Sequence, residues 1–284
     1  MQLRHLVAAA DDSEEGRTAI TMAAHLARRS GANLTVLTVA EQVTGDGMWQ
    51  KSLEHLRQVV TRQLGALAER PANVDLAAAV GVPGIEICRY AETNGADLIV
   101  MGRKHRSPVQ RLLIGDTADS VARRARVPCL FVLAGQPRLE RVCVALDGTE
   151  RGLSVLLAAM DFTRAIGGRL RAVTVEPAQP DEPGPHGVHT ARTNRLLQAM
   201  DELSRSTPGA SGLWEAPAPG VQGSPLVVHR GSIVEEIVRE VRTGRCDVLA
   251  VGYRRGGPAG VIEAGSVARR LAHEAPCAVL TIPL

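Results

Sequence analysis

The chain has 284 residues, enough for two domains of about 140 residues each at the usual domain size. Its net charge of +3 is small and evenly spread, which argues against a nucleic-acid-binding surface. Hydrophobic residues make up 45% of it and aromatics only 2%, so the core has to be assembled from Ala, Val, Leu and Ile. No apolar run approaches the roughly 20 residues that span a bilayer, and residues 1–5 lead into a strand without a signal-peptide core. A soluble cytoplasmic protein is expected. The five cysteines, Cys88, Cys129, Cys143, Cys246 and Cys277, form no C-x-x-C pair and sit in apolar runs. That fits buried reduced thiols better than a disulfide or zinc framework.

In chain order, residues 6–10 are a short apolar run closed by Asp11, predicting a first strand. Ser13 offers a helix N-cap, Glu14 and Glu15 occupy the first turn where the helix dipole favours anions, and Gly31 supplies a stop. Residues 34–39 predict a second strand, 49–70 an amphipathic helix closed by Pro71, and 74–80 a third strand. The turn Gly81-Val82-Pro83-Gly84 leads to a helix at 85–94, a strand at 98–101, a helix at 117–126 and a strand at 129–133. A linker over 134–140, marked by Gly135 and Pro137, follows.

The second half repeats this order. Leu6-Val7-Ala8-Ala9-Ala10-Asp11-Asp12-Ser13 answers to Val142-Cys143-Val144-Ala145-Leu146-Asp147-Gly148-Thr149, and the run from Asp97 to Gly102 answers to that from Asp247 to Gly252. Asp11 and Asp147, Gly31 and Gly167, and Val39 and Val175 are 136 residues apart. Gly81 and Gly231, Gly102 and Gly252, and Gly115 and Gly265 are 150 apart. The second copy therefore holds 14 extra residues, within a Pro-rich stretch at 177–225 expected to form mobile loops around a helix at 190–204. Domains are expected at 1–136 and 137–284.

Strand–helix alternation with nearly continuous apolar strands predicts an α/β fold with a parallel sheet covered on both faces. Ligands in such folds bind at the carboxyl edge of the strands, where strand order reverses. Asp11, Val39 and Gly102 reach that edge at the ends of strands one, two and four.

Gly102 closes the fourth strand, and Gly115-Asp116-Thr117 opens the next helix; Gly252 and Gly265-Ser266-Val267 are their counterparts. A glycine at a helix start lets backbone approach a ligand, and the free N–H groups there favour phosphate. The same glycines also serve ordinary strand-to-helix turns. Between them lie Arg103, Lys104, His105, Arg106 and Arg111 in the first copy, and Arg254 and Arg255 in the second. His186 and His189 have no Cys or carboxylate cluster to join them, so a solvated loop is preferred to a metal site. A receiver-type acidic pocket at Asp11-Asp12 is set aside, because strand three ends in Val80-Gly81 and no Lys lies near 129–133. No G-x-S-x-G elbow, Walker A loop or dinucleotide G-x-G-x-x-G occurs, and no catalytic residue is assigned.

The pattern resembles the universal stress protein family in its tandem two-domain form, over nearly the whole chain. The resemblance implies two copies of a five-stranded parallel-sheet, adenine nucleotide alpha hydrolase-like (Rossmann-like) domain. Nucleotide-binding members carry Gly, two residues, Gly, nine residues, Gly, then Ser or Thr. They also end strand one in Asp and strand two in an apolar residue. Matched by position, Asp11 and Asp147 are the adenine-side carboxylates, Val39 and Val175 the apolar contacts, Gly102 and Gly252 the ribose neighbours, and Gly115 and Gly265 the phosphate neighbours.

This sequence departs from that pattern. The second glycine is His105 in one copy and Arg255 in the other, and Asp116 stands at the phosphate-side hydroxyl position of the first copy. A carboxylate there repels phosphate. The second copy keeps Ser266 and Val267, and Arg255 is a candidate charged donor to phosphate. An adenine nucleotide, ATP or AMP with Mg2+ carried by the nucleotide, is therefore expected in the second copy ahead of the first. The resemblance further implies a stress-response module and an intramolecular pseudo-dimer through residues 129–133 and 279–282, with a homodimer of whole chains as a further option. Neither nucleic acid nor membrane is expected as a partner. Two other readings stay open: a scaffold with degenerate sites, and a weak ATPase.

Overall fold

The computed structural model describes residues 2–41, 48–65, 71–103, 116–136, 139–176, 191–207, 212–215, 226–254 and 266–284, with backbone alone at 48–52, 116 and 266. The first copy runs β1 (His5–Ala9), α1 (Glu14–Ser30), β2 (Asn33–Ala40), α2 (Met48–Gly65), β3 (Val74–Val80), α3 (Pro83–Thr93), β4 (Leu98–Gly102), α4 (Asp116–Arg124) and β5 (Cys129–Val132). The second runs β6 (Arg141–Ala145), α5 (Glu150–Ala165), β7 (Arg169–Glu176), α6 (Ala191–Ser206), β8 (Leu226–Arg230), α7 (Ile233–Thr243), β9 (Val248–Tyr253), α8 (Ser266–Glu274) and β10 (Ala278–Pro283). The chain divides into two compact units. One holds Met1–Pro137, Tyr253–Gly265 and Ala278–Leu284, the other Arg138–Gly252 and Ser266–Cys277.

In the first unit the strand order is β3-β2-β1-β4-β5-β10. The first four pairings are parallel, with Ala9 of β1 opposite Leu37 of β2 on one side and Met101 of β4 on the other. Leu6, Val7, Leu34, Leu37, Leu98 and Ile99 are wholly buried, as strands covered on both faces require. β10 runs antiparallel to β5, with Val279 opposite Phe131, so the apolar β5 is not left as a bare edge. In the second unit the order is β8-β7-β6-β9, all parallel.

Local chemistry fixes the elements. Ser13 has extended backbone and its hydroxyl accepts from the Gly16 N–H, while Gly31 closes α1 at φ 71°, a left-handed conformation that suits glycine. Thr149 caps α5 in the same way, accepting from Gly152. Asp97 and Asp247 have parallel duties. Asp97 Oδ2 accepts from the N–H groups of Arg4 and His5, and Asp247 Oδ2 from those of Glu140 and Arg141. Each thus ties the start of its copy's first strand to the turn before its fourth.

Three expectations shift. The helix expected to begin at residue 85 begins at Pro83, because a proline in the first turn loses no hydrogen bond and already has helical φ. The helix expected over 49–70 is seen to Gly65, and residues 66–70 lie outside the described chain. Within the Pro-rich stretch, residues 212–215 dock beside β7: Leu170 N–H donates to Leu213 O and Glu215 N–H to Leu170 O, both at 2.8 Å. The remaining expected loops there, and His186 and His189, lie outside the described residues. All five cysteines are buried and free. Among the described residues, no helix is long and apolar enough to cross a membrane.

Candidate functional site

The order of the first unit reverses at β1, which has β2 on one side and β4 on the other, and a parallel sheet opens a crevice at such a point. A cavity of about 380 Å³ lies there, toward the small end of the roughly 300–1,000 Å³ typical of ligand pockets. Its floor is the carboxyl edge of the sheet: Ala9, Ala10 and Asp11 at the end of β1, Leu37 to Val39 of β2, and Met101, Gly102 and Arg103 at the end of β4. Its walls come from the head of α1 (Ser13, Glu15, Gly16), from Pro83 and Ile87 of α3, and from Thr117 and Ala118 of α4, with Glu41 beyond β2. Apolar side chains thus meet a few convergent polar ones, as small-molecule sites commonly arrange them.

Asp11, Val39 and Gly102, three of the residues singled out in the sequence, line this one cavity. Asp11 is exposed, with its Oδ1 accepting from the Ser13 N–H at 3.2 Å and from the Ser13 hydroxyl. Ser13 in turn caps α1, so the carboxylate is held by the helix start beside it. Gly16 makes this possible: a Cβ there would stand 2.5 Å from Asp11 Oδ1. At Gly102 a Cβ would come within 2.5–2.7 Å of the Glu15 Cβ and backbone, so this glycine lets α1 pack onto β4 as well as lining the cavity.

The corresponding edge of the second unit repeats the arrangement. Asp147 Oδ1 accepts from the Thr149 N–H at 3.0 Å and its hydroxyl at 2.7 Å, and a Cβ on Gly152 would meet that oxygen at 2.8 Å. Asp147 is exposed, while Val175 in β7 and Gly252 in β9 are half-buried, matching Asp11, Val39 and Gly102. Ser266 is the first residue of α8, and Val267 follows it half-buried. Gly115, Arg255 and Gly265 lie outside the described residues, as does His105; Asp116 is the first residue of α4.

Thr117 of the Gly115-Asp116-Thr117 motif lines the cavity, as do Gly16, Glu41 and Ile87, which were not singled out from the sequence. Gly16 had a signal, since Gly152 stands at the same 136-residue offset. Glu41 had none, because its counterpart is Pro177. Arg103 packs with only 6% of its surface exposed, its N–H donating to Val132 O at 2.8 Å. Among the described residues, no group of three His, Cys, Asp or Glu side chains is placed to hold a metal ion.

Comparison with known proteins gives one family. The chain matches the universal stress protein family twice, over residues 2–132 and 138–283. A universal stress protein of Methanocaldococcus jannaschii is 28% identical over 138 residues, 45% of this chain and 81% of that protein. YxiE, a universal stress protein of Bacillus subtilis, is 26% identical over 143 residues, 45% of this chain and 97% of its own. The crystal structure of a universal stress protein from Archaeoglobus fulgidus superposes with a TM-score of 0.67 at 19% identity, covering 98% of this chain and 96% of that one, which shows a shared fold. The two matched stretches, each built as strands alternating with helices around an Asp, Val and Gly at one sheet edge, make this chain a tandem member of the universal stress protein family.

Proposed function

We propose that the protein is a cytoplasmic stress-response module that binds an adenine nucleotide, ATP or AMP, and works by changing conformation or partners. The observation that carries this reading is the cavity at the strand-order reversal, where Asp11, Val39 and Gly102 converge. A carboxylate accepts from the amino group of a purine, the valine offers an apolar face to the ring, and the glycine leaves space for a sugar. The repeated geometry of Asp147, Val175 and Gly252 supports a second site of the same kind. For phosphate the second copy has the better residues. Ser266 stands where the first copy has Asp116, Gly265 precedes it, and Arg255 and Val267 complete the set. Gly115 has the equivalent place in the first copy, ahead of a carboxylate. Mg2+ would arrive with the nucleotide. The intrachain pseudo-dimer implied by the family resemblance belongs to the same proposal.

Binding to the folded state raises stability by mass action, about 2.7 kcal/mol at a hundredfold excess over Kd. The melting temperature is therefore expected to climb with ATP concentration in the native chain and to climb less in Gly265→Glu. Equal shifts in the two chains discard the assigned phosphate site. A scaffold without ligand is the second reading, favoured by His105, Asp116 and Arg255 at positions where binding members differ. It predicts that the purified, acid-denatured protein releases no nucleotide.

A further inference from the structure

The two copies differ in charge at the very positions that surround the sheet edge. Glu15 and Glu41 line the first-copy cavity, and neither side chain makes a hydrogen bond or ion pair among the described residues. Asp11 adds a third carboxylate, held through Oδ1 by Ser13. The nearby Asp12 is different, since Arg17 at 2.9 Å and His55 at 3.4 Å stand against it. Among the described lining residues, Arg103 is the single cation set against Asp11, Glu15 and Glu41. By the repeat offsets, the second copy has Arg151 in place of Glu15, Pro177 in place of Glu41, Ser266 in place of Asp116 and Tyr253 in place of Arg103. Two carboxylates without a partner among the described residues, Glu15 half-buried and Glu41 exposed at the cavity's rim, repel a polyanion while leaving a neutral ligand almost unaffected.

Building on the adenine-nucleotide reading above, we propose that the first-copy cavity selects an adenosine-type ligand with little or no phosphate charge, and that Glu15 and Glu41 are the residues that turn polyphosphate away. The tandem chain then carries two adenine sites of opposite charge preference, one for a nucleoside and one for its phosphorylated form. Thr117 gives the nucleoside cavity a hydroxyl-bearing residue suited to a ribose, which a phosphate tail does not need.

The test is calorimetric titration of the full chain with adenosine and, separately, with ATP, in the native protein and in a Glu15→Gln, Glu41→Gln double variant. Neither glutamate has a partner among the described residues, so the variant is expected to keep its fold. Each titration is repeated with Val39→Trp added, and only the binding that this bulky residue removes is assigned to the cavity. A Val39→Trp chain that does not fold is replaced by Thr38→Trp, at a neighbouring lining position. The expected result is cavity binding of adenosine at least about tenfold tighter than ATP. In the double variant ATP should gain about tenfold or more, while adenosine changes by less than about threefold. ATP bound by the cavity as tightly as adenosine, or an unchanged ratio in the double variant, overturns the charge selection and leaves the adenine reading standing. Cavity binding of neither compound overturns both.

Discussion

Glycine at position 102 answers two demands at once. It ends β4 at the cavity and lets the first turn of α1 lie against the strand, where any Cβ would enter the space of Glu15. Gly102→Ala is therefore expected to lower stability by about 1–3 kcal/mol, since backbone of α1 rather than a flexible side chain has to give way. A melting temperature equal to that of the native chain would show that α1 can retreat without cost. The N-caps make a milder prediction. Ser13→Ala and Thr149→Ala each remove the oxygen that receives the third helical N–H and the hydroxyl that anchors the neighbouring Asp, and each should cost about 1 kcal/mol in chemical denaturation. Asp11, Ser13 and Gly31 were readable from the sequence because strand end, cap and stop have compositional signatures. Gly16 had only its repeat in Gly152 to mark it, because a glycine inside a helix looks like a defect until the carboxylate above it is in view.

At the scale of elements, the second copy holds an ionic cluster between β7, β8 and α7 that the first copy lacks. Arg171 reaches Glu215 at 2.8 Å and Glu240 at 2.6 Å, and His229 meets Glu240 at 2.9 Å and Glu236 at 3.6 Å. The counterparts of Arg171, His229 and Glu240 are Thr35, Ala79 and Tyr90, so duplication alone does not explain the cluster. Burial works against the Glu240 charge, but Arg171 and His229 together outweigh it and hold the carboxyl below its ordinary 4.5. A depressed carboxylate contributes stability that is complete above the unfolded-state value and is lost as pH falls through the folded one. Stability should consequently drop on acidification below about 4.5. Glu240→Gln should cost about 1–3 kcal/mol at pH 7 and show a shallower acid decline; parallel melting curves from pH 3 to 7 would contradict this. The alternation of strands and helices was legible because apolar runs of 4–8 residues alternate with helical spacing. This cluster was not, because its charges are spread from residue 171 to residue 240 and meet only after the crossover folds.

For the molecule as a whole, the duplicated plan was open to reading at fixed offsets, while the pairing of the last strand with β5 was expected from the family resemblance alone, since no offset records which strand lies beside β5. The thiols report on the whole fold at once. Burial first, and Glu92 second, push Cys88 up to about 11, while Cys129 is raised strongly by its wholly buried position. Cys143, beside Cys246 and out of water, is raised in the same direction. Thiolate is the reactive form, so Cys88, Cys129 and Cys143 should modify at least about a hundredfold more slowly in the native chain at pH 8 than in denaturant, and burial should slow Cys246 and Cys277 as well. One thiol that reacts at the denatured rate would mark a local opening near it.

The place of β10 beside β5 also sets an order of events at the ribosome. Residues 129–132 emerge long before 278–283, so the nascent N-terminal half waits with one flank of its sheet exposed until β10 has left the exit tunnel. A stop codon just ahead of Ala278 should release a chain whose first half is sticky and chaperone-bound, although none of that half's own strands has been removed.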